Sequence, residues 1–142
     1  MLVVVTGFNH NPENNRITIG DTVKAFEIEN ATSHFTVGSD QDCLTLVTFW
    51  ESCDAESRRA CNFYNNLLCD SENIRFVGIN MDPSEILFNE IVKTDGINPF
   101  NQYHISDGST IYALRGAFGL ESGMGSVLID QQGKIIAFNP FL

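Results

Sequence analysis

The sequence predicts a three-layer α/β sandwich on a mixed central β-sheet, and three observations carry that prediction. Near-continuous apolar runs recur at 44–50 and 74–80, as in strands covered on both faces. Segments of helical period follow each of them, and a hairpin pattern closes the sequence. The resulting order, β, β, β, α, β, α, β, α, β, β, alternates strand with helix and then ends in paired strands, so helices are expected on both faces of one sheet.

Each element has its own local reason. Ile17-Thr18-Ile19-Gly20-Asp21 and Ala25-Phe26-Glu27-Ile28-Glu29 alternate apolar with polar, the pattern of half-buried strands. Residues 31–38 then read as a turn and a short hairpin strand. The run from Leu44 to Trp50 is rich in β-branched and apolar residues and is expected at the centre of the sheet. From Asp54 to about Cys69 the period becomes helical, with Ala60, Phe63, Tyr64, Leu67 and Leu68 on one stripe. After the strand at 74–80, Asp82-Pro83-Ser84-Glu85 reads as a helix start with Asp82 as cap, proline at the first position and glutamate at the third. That helix should turn Leu87, Phe88, Ile91 and Val92 inward and stop at Gly96. Residues 102–105 read as a short strand and 109–118 as a short helix. Segments 126–129 and 134–138 then form a hairpin turning at Asp130-Gln131-Gln132-Gly133.

With 142 residues and 43% hydrophobic content, the chain can bury one sizeable core and not two. Residues 1–16 read as an N-terminal tail: a mostly apolar start at 1–7 that resembles a signal-peptide remnant, then the polar linker Asn9 to Arg16. Residues 17–142 form the domain. Eighteen acidic against eight basic residues give a net charge of −10, which repels phosphate backbones and anionic lipid and argues against nucleic-acid binding. No run reaches the roughly 18 residues of a membrane span. The histidines, His10, His34 and His104, are scattered and the four cysteines contain no Cys-x-x-Cys, so neither a metal nor a cofactor is expected.

Leu46-Val47-Thr48-Phe49-Trp50-Glu51-Ser52, running into a helix, is similar to the strand and turn that precede the redox site of thioredoxins. Two further stretches resemble the TlpA/ResA-like thiol-disulfide oxidoreductases of that superfamily. One is the opening, Ile19-Gly20-Asp21 through Phe26-Glu27-Ile28. The other is the ending, Ala117-Phe118-Gly119-Leu120 through Val127-Leu128-Ile129-Asp130-Gln131-Gln132-Gly133-Lys134-Ile135. The likeness covers about residues 17 to 138. It implies the thioredoxin fold, a role in cell redox homeostasis and a periplasmic or cell-envelope location in a bacterium.

At the chemical positions the chain departs from that family. The turn after the Phe-Trp pair should supply a Cys-x-x-Cys whose first thiol lies at a helix N-terminus, where unpaired amides and the dipole favour the thiolate. Aligning Phe49-Trp50 puts Asp54 at the first cysteine and Ser57 at the second, and neither forms a disulfide. Asp54 suits the position as a helix cap. The family's cis-proline falls on Met124, where a trans bond and a reshaped loop between Gly123 and Gly125 are expected. Thr48 and Ala60 stand where the resembled proteins often carry a buried aspartate and a glutamate.

Four cysteines remain. Cys53 is the competing nucleophile, because a one-residue deletion in the turn would bring it to the nucleophile position; its fourth-residue partner would then be Glu56, whose charge opposes thiolate formation. The alternative is that Cys53 replaces the tryptophan before the family's first cysteine. The proline and threonine expected before a peroxidatic cysteine are absent, which argues against a peroxiredoxin. Cys61, about 12 Å further along the helix, is expected to fill core. Cys43 and Cys69 return to one end, since about 23 Å of strand rise is matched by about 24 Å of helix. With a family that works in oxidising compartments, that makes a structural disulfide between them a hypothesis.

Two functions follow. The first is a redox-inactive binding module that presents Trp50, Glu51, Asp54, Glu56, Gly123, Gly125 and Glu121 to a protein partner. The second is a thiol-disulfide oxidoreductase working through Cys53 alone. The family usually closes the sheet with a helix after the last strand, and here only Phe138-Asn139-Pro140-Phe141-Leu142 follow. Either apolar sheet surface is left for a partner or a second copy, giving a homodimer, or Phe141 and Leu142 fill the gap.

Overall fold

The computed structural model describes residues 3–4, 17–39, 41–120 and 123–141, with the side chains of 3–4 excepted. Among the described residues eight strands and three helices run in the order β1 (Val3–Val4), β2 (Phe26–Glu29), β3 (His34–Val37), β4 (Leu44–Trp50), α1 (Ala55–Leu68), β5 (Ile74–Asn80), α2 (Glu85–Asp95), β6 (Gln102–His104), α3 (Gly108–Ala117), β7 (Ser126–Ile129) and β8 (Ile135–Phe138), with one 3-10 turn at Pro99–Asn101.

The unbroken apolar run of β4 makes it the strand with neighbours on both sides. It pairs parallel with β5 and antiparallel with β7, in a five-stranded mixed sheet ordered β6-β5-β4-β7-β8. A second, three-stranded sheet, β1-β2-β3, is antiparallel throughout. Part of the segment read as tail therefore contributes a strand, Val3–Val4 against β2; residues 5–16 lie outside the described residues.

Where the chain length predicts a single core, alternation along the strands sends side chains to two, one on each face of the sheet. Val47, Phe49, Val77, Ile79, Val127 and Ile129 face one side, where β2, β3 and α3 cover them with Phe26, Ile28, Val37, Leu114 and Phe118. Leu46, Trp50, Phe76 and Leu128 face the other side, under Cys61, Tyr64 and Leu68 of α1 and Phe88 and Val92 of α2. Three layers result, as the element order implies.

Several local expectations are corrected. Residues 17–21 form a turn rather than a strand: the Asp21 carboxylate accepts from the Thr18 amide and hydroxyl, and Ile19 is 66% exposed. Backbone bonds from Gly20, Asp21 and Val23 to residues 133–135 then dock this segment on β8. The buried stripe of α1 is Ser57, Cys61, Tyr64 and Leu68, one position round from the expected one, so Phe63 and Leu67 are exposed. In α2 the cap is Ser84, whose hydroxyl accepts from the Leu87 amide, and Leu87 is exposed while Phe88 and Val92 are buried. Gly96 ends α2 in the left-handed region at φ 67°, as the sequence indicates. After β8, the Pro140 carbonyl accepts from the Tyr64 hydroxyl at 2.7 Å. Phe141 is exposed rather than tucked into the sheet, and Leu142 lies outside the described residues. Among the described residues no helix is long and apolar enough to cross a membrane.

Candidate functional site

The site is built where β4 ends and α1 begins. Asp54 is the N-cap of α1, and its carboxylate accepts from the Ser57 amide at 3.3 Å. Ser57, buried, accepts from the Glu51 amide at 3.2 Å and donates from its hydroxyl to the Asp54 carbonyl at 3.2 Å. Asp54 and Ser57 therefore close the first helical turn on each other through a carboxylate and a hydroxyl.

Opposite this turn lies the loop at 123–125. No described peptide bond is cis, so the bond to Met124 is trans, as expected. Gly123 sits at φ 148°, a conformation open to glycine, and the Gly125 carbonyl accepts from the Phe49 amide at 2.9 Å, which pins the loop to β4. Met124 is half-buried against the first core. Between the loop and α1 lies a cleft of about 360 Å³ whose lining includes Thr48, Asp54, Glu56, Ser57, Met124 and Ser126. Thr48 is buried, and its hydroxyl shares a 2.6 Å bond with that of Ser126. Thr48 thus brings a neutral hydroxyl, satisfied by another one, to the inner end of the cleft.

Cys53 is exposed beside the cap, in a shallow depression of about 410 Å³ shared with Arg58, Arg59, Asn62 and Asp95. Arg58 is held there by a two-pronged pair with Asp95, 2.7 Å at each contact, and Asn62 donates to the same carboxylate at 3.0 Å. That hydrogen bonding from Arg58 keeps Asp95 below the ordinary carboxylate range, and Asp95 in turn holds Arg58 above its ordinary value. All four cysteines are free. The bridge hypothesised between Cys43 and Cys69 is not formed; the Cys69 thiol points at the Asn66 carbonyl, 3.4 Å away. Cys61 is fully buried in the second core, and burial pushes its thiol up to about 12. Cys53 stands about 24 Å of helix from Cys69.

Two expected site residues take other roles. Trp50 does not reach the surface: it is fully buried, and its indole N–H donates to Gln102 Oε1 at 2.9 Å, which satisfies the one polar group that burial would otherwise orphan. Glu51 is no free acid, because Arg115 pairs with it at 3.0 Å. Asp54 and Glu56 remain as the acids of this face, and Glu121 lies outside the described residues.

The residue that sequence reading misplaced is Asp82. Expected as the cap of α2, it is instead 2% exposed beneath the turn. One carboxylate oxygen accepts from the Ser52 amide at 2.7 Å, and the other accepts from the Ser52 hydroxyl and from Asn80 Nδ2 at 3.0 Å. Its carbonyl bonds His104 Nε2 at 2.8 Å; a carbonyl only accepts, so that nitrogen carries the proton. The signal was a run of Asn80-Met81-Asp82 directly continuing a buried strand, where a polar residue needs a buried partner. Among the described residues no group of three or more His, Cys, Asp or Glu side chains is arranged to hold a metal.

No protein-family model and no curated protein matches the chain. Solved structures do. A thioredoxin-like protein from Parabacteroides distasonis is 27% identical, with 86% of this chain and 91% of that one covered and a TM-score of 0.68. The thioredoxin domain of a thiol-disulfide oxidoreductase from Bacteroides vulgatus is 17% identical over 86% and 88% of the two chains, with a TM-score of 0.72. A thiol:disulfide interchange protein from Bacteroides sp. is also 17% identical, over 86% and 81%, with a TM-score of 0.70. A five-stranded mixed sheet with three helices, matched over most of both chains, is a thioredoxin-like α/β fold.

Proposed function

We propose that this chain is a thioredoxin-fold module that has given up dithiol-disulfide exchange and acts by binding a protein partner at the altered face. The observation that carries the reading is the first turn of α1, where Asp54 caps the Ser57 amide at the two positions that dithiol chemistry needs as sulfur. The cap supports it twice over. A carboxylate neutralises the positive helix end as a thiolate would, and it offers no electrons to a disulfide. Cys61 is held protonated inside the core, and Cys53 has no second sulfur on its turn to resolve a mixed disulfide. The partner surface under this reading is the cleft between Asp54, Glu56 and the Met124 loop. A periplasmic or cell-envelope setting belongs to the same proposal through the resembled family.

A second reading is favoured by one feature: Cys53 is exposed in an open depression beside Arg58 and Arg59, a thiol that a disulfide substrate can reach. It makes the protein a one-cysteine thiol reductase. Insulin reduction with dithiothreitol, run on the parent and on Cys53→Ser, separates the two. The binding-module reading expects both proteins to match the uncatalysed rate. A parental rate above background that disappears in Cys53→Ser overturns it in favour of the second.

A further inference from the structure

On the far side of β6 from β4 the molecule holds a second cavity, of about 330 Å³, to which none of Cys53, Asp54, Ser57 or Met124 contributes. That volume lies within the roughly 300–1,000 Å³ of small-molecule sites. Its walls are apolar: Phe88 and Val92 from α2, and Pro99 and Phe100 from the 3-10 turn. Its inner end is closed by Gln102 and His104, at 1% and 4% exposure, whose side-chain polar groups are already engaged by the Trp50 indole and the Asp82 carbonyl. Glu29, on β2, and Glu85, in the first turn of α2, stand at the mouth, and neither carboxylate is ion-paired among the described residues.

The frame around the cavity is fixed without a ligand. Asn30 closes the β2–β3 turn by accepting from the amides of Thr32 and Ser33, and its Nδ2 donates to the carbonyls of Phe100 and Gln102. Asn98 caps the 3-10 turn by accepting from the Phe100 amide. The Phe100 ring, 59% exposed, is thereby carried on a backbone tied at both its carbonyl and its amide. A large aromatic ring held outward over a cavity is a surface with an unmet apolar contact, and its rigidity lowers the entropy cost of supplying one. His104 is engaged below, through Asp82, and stacks on Phe88 with ring centroids 5.2 Å apart.

We propose that this cavity is a binding site for a small aromatic amine, its ring between Phe88 and Phe100 and its ammonium at the mouth beside Glu29 and Glu85. The ring meets apolar walls of matching size. The positive charge meets two carboxylates that lack a cation in a chain of net charge −10, while an anion of the same shape meets repulsion. The site stands apart from the altered redox face, so it neither depends on the function proposed above nor fails with it.

The test is an amide-resolved NMR titration of the full chain with tryptamine, with indole-3-propionate as the same ring bearing the opposite charge. Tryptamine is expected to give saturable shifts at Ala31, Phe88, Val92 and Phe100, and the propionate none. Glu29→Gln with Glu85→Gln should weaken tryptamine about five- to tenfold, the loss of two solvent-facing charge contacts. Asn89→Trp, at an exposed lining position, should abolish the shifts while thermal melting reports an intact fold. Absence of saturable shifts in the parent, equal binding of both compounds, or binding untouched by Asn89→Trp would each overturn the proposal.

Discussion

If residues 54 and 57 occupy the positions of a dithiol pair, restoring the sulfurs should restore a disulfide. The experiment is Asp54→Cys with Ser57→Cys in a Cys53→Ser background, which removes the neighbouring thiol as a competing partner. The cost in the reduced protein follows from two local losses. The Asp54 cap bond is long at 3.3 Å, so its removal costs about 1 kcal/mol. The Ser57 hydroxyl makes two bonds at 3.2 Å, and losing them costs about 1 kcal/mol more. Closing a four-residue loop by a disulfide returns about 2 kcal/mol through the unfolded state. A chain of 142 residues shifts its melting temperature by about 3 °C per kcal/mol. The oxidised variant should therefore melt close to the Cys53→Ser parent and about 6 °C above its own reduced form, and it should reduce insulin faster than that parent. Thermal melting with and without reductant, together with thiol titration, reads all three. Failure of the two sulfurs to bridge under air oxidation would refute the reading of Asp54 and Ser57 as the positions of a dithiol pair, and with it the proposal that dithiol exchange was given up here.

Gly78→Ala should lower the melting temperature by about 6–9 °C: a Cβ there runs into Gln102 Oε1, the amide must leave, and the Trp50 indole loses its acceptor. A melt that moves less than 2 °C would mean Gln102 is not fixed across the sheet. Asp82→Ala strips three donors of a buried carboxylate and should cost about 3 kcal/mol, with Asp82→Asn recovering part of it; urea unfolding with an unchanged m-value checks both. Cys61 makes stability fall in alkali. Its folded thiol, raised to about 12, keeps a proton that the unfolded chain releases from about pH 9, so the contribution is full below pH 9 and declines as pH rises toward 12. Between pH 8 and pH 10 the loss from this group is about 1.4 kcal/mol, and Cys61→Ala should flatten that part of the profile in denaturant titrations.

Much of this architecture is legible in the sequence because the strongest signals are physical ones that tertiary context does not override. The run at 44–50 is apolar on both faces, and only a central strand hides both faces. The glycine at 96 and the turn at 130–133 need conformations that few other residues supply, so they marked their boundaries. Asp82 and Glu51 depart from their local patterns for one reason, that long-range partners claim their carboxylates. Asp82 satisfies every local requirement of a helix cap, yet Ser52, thirty residues away in sequence, takes its carboxylate and leaves capping to Ser84. Glu51 reads as a surface acid until Arg115 folds onto it. The stripe of α1 slipped because Ser57 and Cys61, small and weakly polar, lie inward while Phe63 and Leu67 are left out. Side-chain size alone does not tell a helix which way to face when the surface beneath it is already filled by Trp50 and Phe76.

The same distinction makes the proposed loss of dithiol chemistry at this site compatible with an intact fold. What the fold asks of the first turn of α1 is an acceptor for an exposed amide and a negative charge near the positive helix end. A thiolate meets both demands and so does Asp54, with a bond to Ser57 in place of a sulfur. What it asks of the facing loop is a fixed distance from β4, and the Phe49 amide to the Gly125 carbonyl supplies that through backbone alone. What it asks beneath the turn is a firm anchor, and Asp82 holds Ser52 through both its amide and its hydroxyl. Under the proposed reading, the structural duties of a redox motif are met here by groups incapable of electron transfer. Folding constrains position and charge at these residues, whereas only catalysis constrains the element, so sulfur can be exchanged for oxygen at both positions while the sheet, the turn and the cleft keep their form.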